Sequence, residues 1–552
     1  MAATRNRLSV PSSRAAAATA PDPLCCVRAK GGANVASMTE SASTGANGVR
    51  LDRRPLRPAR RAPASQRRPR PLAARLAASA LAVALPLALA GCGTLAALNP
   101  FGPSNAPQEG NPGFVRGFLG GVAAEDPAAA LAARNVLSSG GTAVDAAVAA
   151  GFTLAVTLPS RVGLGGGGAC LVFDPAKDTV ESVLFPPGPR DGIPAGADRP
   201  AAVPLLARGL FALHTRKPGR PFEELLAPAE QLARFGTEVG RGLATDLAAV
   251  AGPLLADPGA RSAFAGPDGA PLAAGQRMLQ PELAGTLGQL RTAGVGDLHQ
   301  GVLARRLVDV APGAGAGAYS LDELRAALPR LVPPLLLPSR NGDQVAFLPP
   351  PADGGLAAAA SFAAVQAGQG VAEAAERGLG AAAGWRQSGG DPRAQLAAAS
   401  AGTLPGRLPA SAGLVVFDRT GTAVSCAFTL NNLFGTGRMA PNMGFLLAAA
   451  PGVGAVQPPL LAAGIAFNRN LRAFRMAVAA SGQEAAGISV GAPMALHLLR
   501  AQAAPAALAA GAPDPGRVQL AACVNYLPGS PDRCVVLSDP RGAGVALGAV
   551  DQ

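Results

Sequence analysis

From Val122 the pattern turns helical, and further along the apolar positions switch repeatedly between that spacing and short continuous runs. Residues 127–137 and 143–154 carry Ala, Val and Leu at helical intervals, with Gly140-Gly141 as the break between them and Asp145 near the second start. A glycine loop follows at 159–168, then a buried strand at 169–173 and its hairpin partner at 179–184. Helices are predicted over 205–217 and 222–235, joined by Pro218-Gly219-Arg220-Pro221, with a short one over 321–328. Residues 344–348 read as a strand stopped by three prolines, and 355–366 as another helix. Over 376–410 the period fades into Ala, Gly, Ser and Pro, which predicts a loose connector. Order resumes at residue 411: a strand at 413–417, a tight turn at 419–421 and a returning strand at 422–430. Further strand is predicted at 472–480 and 523–537, and a helix at 489–502. Helices interleaved with antiparallel hairpins predict an α+β chain in which helices cover the outside of two stacked sheets.

The 552 residues are 49% apolar and only 4% aromatic, enough to bury a large core and to exclude a wholly disordered chain. No apolar run reaches the roughly 18 residues of a spanning helix, so a multi-span helical membrane protein is excluded. The 70 glycines follow no three-residue period, which excludes collagen. The net charge of +13 suggests nucleic acid until the charges are placed. Within residues 1–91, fourteen arginines and Lys30 face only Asp22, Glu40 and Asp52, so the rest of the chain is close to neutral and has no field to hold a polyanion.

That basic segment runs through Arg70 and Arg75 into an apolar stretch, 76–90, of the length of a signal core. It ends Leu89-Ala90-Gly91-Cys92, which resembles a bacterial lipobox with Cys92 as the lipid attachment site. Residues 1–91 are therefore expected to be a leader and signal segment, and 92–118, rich in Gly, Pro and Asn, a tether. The length ahead of the signal implies either a disordered extension or, the favoured reading, a true start nearer Pro71. The expected location is the bacterial envelope, lipid-anchored and facing the periplasm or exterior. Cys170 and Cys426 lie in apolar strand-like runs and read as small core residues. Cys523 and Cys534 flank a Pro/Gly turn, and a disulfide between them is left open. No Cys/His cluster is spaced for zinc, and neither a metal nor a cofactor is expected.

The usual catalytic vocabulary is thin. His214, His299 and His497 read as structural residues, so a Ser-His-Asp triad is not expected, and no carboxylate pair stands out. A phosphate cradle at 163–168 is disfavoured because no Gly-Lys-Ser/Thr ending follows.

Four phrases carry a resemblance. They are Gly140-Gly141-Thr142-Ala143-Val144-Asp145, the loop Val162-Gly163-Leu164-Gly165-Gly166-Gly167-Gly168, the turn Pro349-Pro350-Pro351-Ala352-Asp353-Gly354-Gly355, and the hairpin Asp418-Arg419-Thr420-Gly421-Thr422 running on to Thr429-Leu430-Asn431-Asn432. In this order they resemble the gamma-glutamyltransferases (gamma-glutamyltranspeptidases, glutathione hydrolases) over roughly residues 119–510. The resemblance implies an N-terminal-nucleophile hydrolase with a four-layer αββα sandwich. Its large-subunit part would be 119–410 and its small-subunit part 411–552, the two remaining associated after the precursor cuts itself.

Aligned on the hairpin, the family's nucleophilic Thr falls on Ser411, followed by Ala412-Gly413. Ser keeps the β-hydroxyl, and a freed α-amine can act as its base. The resemblance makes Thr429 the assisting hydroxyl and Asn431 a contact to the substrate's α-amino end. The pocket departs from the family. Its substrate arginine falls on Pro186, with Arg190 as the candidate replacement, and its paired serines fall near Leu461-Ala462. Its acidic residue falls near Val453, and its oxyanion glycines near Gln483-Glu484, leaving Gly482 as candidate. The leading expectation is acyl transfer or hydrolysis of small-molecule gamma-glutamyl amides. The alternatives are a catalytically silent envelope lipoprotein and an amidohydrolase with changed acyl preference.

Overall fold

The computed structural model describes residues 117–190, 197–404, 408–453 and 456–548. Cys92, the leader and the tether up to residue 116 lie outside the described residues. Strands are numbered along the chain, the two-residue pair Thr237–Glu238 and Arg277–Met278 aside. The first sheet runs β13 (Val545–Leu547), β1 (Gly120–Ala124), β7 (Ala412–Asp418), β8 (Ala423–Thr429), β2 (Gly167–Asp174), β3 (Thr179–Phe185) and β4 (Arg330–Val332). The second runs β12 (Cys534–Ser538), β11 (Arg517–Leu527), β10 (Ala473–Ser481), β9 (Ala462–Asn468), β6 (Asp343–Phe347) and β5 (Leu335–Pro338). All pairings in both are antiparallel.

The period of two decides the layers. Leu171 and Phe173 of β2, Val415 and Phe417 of β7, and Ile465 and Phe467 of β9 fill the space between the sheets. There Phe173 stacks on Phe467 at 4.9 Å and Phe417 on Phe474 at 5.4 Å. The intervening residues, among them Cys170, Leu414, Val416 and Cys426, face the other way, in the core shared with helices Pro127–Ser138 and Ala143–Thr157. On the far side, Val345, Phe347, Met476 and Val478 pack under helices Gly354–Gln366 and Ala486–Arg500. The result is the four-layer αββα sandwich. Since both faces of each central strand are buried, a slip of one residue would exchange the two cores.

Three expectations are corrected. The connector over 376–410 is mostly helical, Val371–Ser388 and Pro392–Ala398. Its buried stripe is Ala374, Gly378, Ala381 and Ala382, at helical spacing, but a stripe of Ala and Gly alone is too weakly apolar to show the period. The strand predicted over 523–537 is two strands, β11 and β12, with a short 3₁₀ turn Pro531–Arg533 between them. They are joined by a Cys523–Cys534 disulfide between directly paired residues, Cα–Cα 4.0 Å. Cys170 and Cys426 are not free core thiols. They sit directly opposite one another in β2 and β8 and form a second disulfide, Cα–Cα 4.1 Å. An antiparallel pair places facing residues close enough for this bond, a proximity that sequence distance conceals.

Candidate active site

Ser411 is the residue just before β7, at the end of the first sheet, and is 2% exposed. The β7–β8 ladder pairs Ala412 with Phe428, so one step further along Thr429 comes opposite Ser411. Thr429 Oγ1 donates to the carbonyl oxygen of Ala410 at 2.7 Å and accepts the Asn431 N–H at 2.9 Å. The acceptor is the carbonyl of the Ala410–Ser411 peptide itself.

A cavity of about 620 Å³ opens here, and Leu408, Pro409, Ala410, Ser411, Asn431 and Gly482 are part of its wall. Asn431 has φ +58°, a left-handed conformation that Asn tolerates. Its Nδ2 donates to the carbonyls of Pro187 and Ala449, each at 3.0 Å, while its buried Oδ1 has no partner among the described residues. Gly482 follows β10 with φ +117°. A Cβ there would lie 2.5 Å from Gly516 Cα and 2.6 Å from Pro515 O, so the turn requires glycine.

Charged residues that the motifs did not single out support this end of the sheet. Glu125, just after β1, accepts the Gly413 N–H at 2.8 Å through Oε1 and pairs with Arg161 Nη1 at 2.9 Å through Oε2. Arg161 makes a bidentate contact to Asp246, at 2.8 and 3.0 Å, and Ser160 Oγ donates to the same carboxylate at 2.7 Å. Burial pushes the Glu125 carboxyl above its usual range against the pull of Arg161. Burial also opposes charge on Arg161, but Glu125 and Asp246 outweigh it and hold the guanidinium protonated. The sequence signals were an acid directly after an apolar strand and a lone arginine at the mouth of the glycine loop. Arg517 also lines the cavity and bonds Asp514 at 2.8 Å and the Gly516 carbonyl at 2.7 Å through Nη1. Arg161 and Arg517 are shared with an adjoining cleft of about 360 Å³ that Arg241 and Arg541 also line.

Ser411, Asn431 and Gly482 thus meet in one cavity, with Thr429 reaching its edge through Ala410. Arg190 does not line it. Its guanidinium holds Glu323 at 2.9 and 3.0 Å, the carbonyls of Ala316 and Ala318, and the Tyr319 ring at 4.2 Å. It anchors the segment before the helix Leu321–Ala326. No histidine lines the cavity either; His299 bonds the Pro204 carbonyl at 2.8 Å and His497 that of Gln502 at 2.8 Å.

Residues 129–367 match the family described as Gamma-glutamyltranspeptidase. The glutathione hydrolase proenzyme of Escherichia coli (strain K12) is 30% identical over 400 residues, covering 61% of this chain and 68% of that protein. The chain belongs to the gamma-glutamyltranspeptidase family. Other relatives are matched over less of their length. The glutathione hydrolase proenzyme of Bacillus subtilis (strain 168) is 30% identical over 43% of each chain. The acylase ACY 1 proenzyme of Pseudomonas sp. (strain SE83) is 30% identical over 44% of this chain and 46% of its own. Among solved structures, the cephalosporin acylase from Bacillus halodurans superposes with a TM-score of 0.63 at 18% identity, over 81% of this chain and 99% of that one, a likeness of fold.

Proposed function

We propose that this family member is the precursor of an N-terminal-nucleophile amide acyltransferase or hydrolase, cut between Ala410 and Ser411. The observation that carries the reading is the Thr429 hydroxyl bonded to the Ala410 carbonyl beside a buried Ser411 hydroxyl. In the cut, Ser411 Oγ adds to the Ala410 carbonyl carbon while Thr429 stabilises the oxyanion. The C–N bond breaks, the Ser411 nitrogen takes the proton from Oγ, and water hydrolyses the resulting ester. The products are an Ala410 carboxylate and a Ser411 with both its hydroxyl and its α-amine free.

In turnover that amine, with an ordinary pKa of about 8, takes the Oγ proton as Oγ attacks a substrate amide, and passes it to the leaving amine. Water or an amino acceptor then releases the acyl group. The Gly482 turn is assigned the substrate's oxyanion, and Asn431 Oδ1 is available to a donor such as an α-ammonium. No residue is assigned to a metal or cofactor.

Gamma-glutamyl amides are the leading substrate class, by family. The cavity wall also favours a second reading, a changed acyl preference. Its only carboxylate among the described residues, Asp246, is already held by Arg161 and Ser160, while Arg517, whose one carboxylate partner at 2.8 Å is the solvent-exposed Asp514, adds a cation. Such a wall suits an acyl chain ending in a carboxylate without an adjoining ammonium. Export with a lipid at Cys92 completes the proposal, and two disulfides accord with an oxidising compartment.

On a reducing denaturing gel the mature protein is expected to run as two chains and Ser411→Ala as one, without turnover. A wild-type protein that stays intact favours the catalytically silent reading. Gamma-glutamyl, glutaryl and butyryl anilides of the same chromophore then separate the two substrate readings.

A further inference from the structure

The Cys170–Cys426 disulfide spans the proposed cut. Cys170 lies 241 residues before Ser411 and Cys426 lies 15 after it, and their sequence separation is 256. Every other contact between the two parts is non-covalent among the described residues, since the second disulfide, Cys523–Cys534, lies wholly after Ser411. We propose that the mature protein is a covalent heterodimer, its large and small fragments tied by Cys170–Cys426. This inference rests on the cleavage proposed above.

The position of the bond follows from the ladder. β8 lies between β7, which begins after the nucleophile, and β2, which continues the glycine loop. Cys426 faces Cys170 on one side and Leu414 on the other, three residues from Thr429, which pairs with Gly167. The tie therefore fixes the register of the strand that carries Thr429 and leads to Asn431 against the strand that carries the glycine loop. Both sulfurs lie in the core beneath the Ala143–Thr157 helix and both residues are 0% exposed, so the bond is shielded from reductant in the folded protein. Because they are buried, the bond must close while the sheet assembles or earlier. The two thiols give up two protons and two electrons to an external disulfide oxidant, which leaves as a dithiol.

The test uses the mature protein, lysed in denaturant with an alkylating agent to block free thiols. Without reductant it is expected to run as one band at the summed mass of the fragments, and with reductant as two. In a non-reduced tryptic digest, peptides 162–177 and 420–438 are expected as one linked species two hydrogens lighter than their sum. The double variant Cys170→Ala/Cys426→Ala is expected to give two bands without reductant. If that variant does not fold, the wild-type digest decides alone. Two wild-type bands without reductant, or both cysteines recovered alkylated, overturn the tether and leave the cleavage standing. One band in the presence of reductant overturns the cleavage, and the link between fragments with it.

Discussion

The Thr429 hydroxyl occupies a position in which a single oxygen affects two events. It accepts the Asn431 N–H, which fixes the lone-pair side, and so directs its own proton at the Ala410 carbonyl. Thr429→Val keeps the shape and removes that proton. Loss of one oxyanion donor slows comparable reactions by about 10²–10³-fold, and the appearance of fragments in a time course after synthesis is expected to slow by that order. A residue that does not line the cavity sets a pH limit. Burial, with Arg208 nearby, depresses the His299 pKa to about 4. His299 thus binds its proton more weakly folded than unfolded. Its contribution to stability is complete above pH 6.5 and is lost as the pH falls toward 4, by roughly 3 kcal/mol on the scale of 1.4 kcal/mol per pKa unit. Urea midpoints are expected to fall over that window in the wild type and less steeply in His299→Gln. That Ser411, Thr429 and Asn431 come together could be read from the sequence because one hairpin fixes their spacing; Gly482 is only the nearest glycine where the family's pair is replaced. Glu125 and Arg161 leave only faint signals in the sequence and Asp246 and Arg517 none, since the four come from separate segments and meet only across sheet and loop.

At the scale of elements, the missed helix Val371–Ser388 shows the limit of a hydrophobic period when the buried stripe is built only of Ala and Gly. Its last turn carries the one feature that betrays a docked element. Arg386 reaches Asp353 of the proline–glycine turn at 2.5 and 3.1 Å and the Pro458 carbonyl at 2.9 Å. Burial raises the Asp353 carboxyl and Arg386 opposes it. Arg386→Ala would leave that carboxylate buried without its partner, a change that costs about 3–5 kcal/mol in comparable pairs. A lower urea midpoint is expected, together with loss of order at the Pro458 strand approach that backs the cavity. The central strands β2, β7, β8 and β10 are legible as apolar runs because both faces of each are covered, whereas β1 and β9, equally buried, are not, since their Gly- and Ala-rich sequences carry little strand signal. What the runs did not reveal was long-range pairing: the β7–β8 hairpin is marked by its turn, but β8 also pairs with β2, more than two hundred residues upstream.

At the scale of the molecule, that pairing means neither side of residue 411 is a domain. The first sheet takes β1 to β4 from before it and β7, β8 and β13 from after it, and the second sheet is likewise mixed. Each fragment alone would expose strand edges and half a core. A cut protein of this kind ordinarily refolds by a second-order encounter, slower the more dilute it is. With the sulfurs joined, each half meets the other at an effective concentration set by the tether, about millimolar for short flexible links. Recovery from unfolding then becomes first-order, so the joined fragments would find each other again at dilutions where loose halves would drift apart for good.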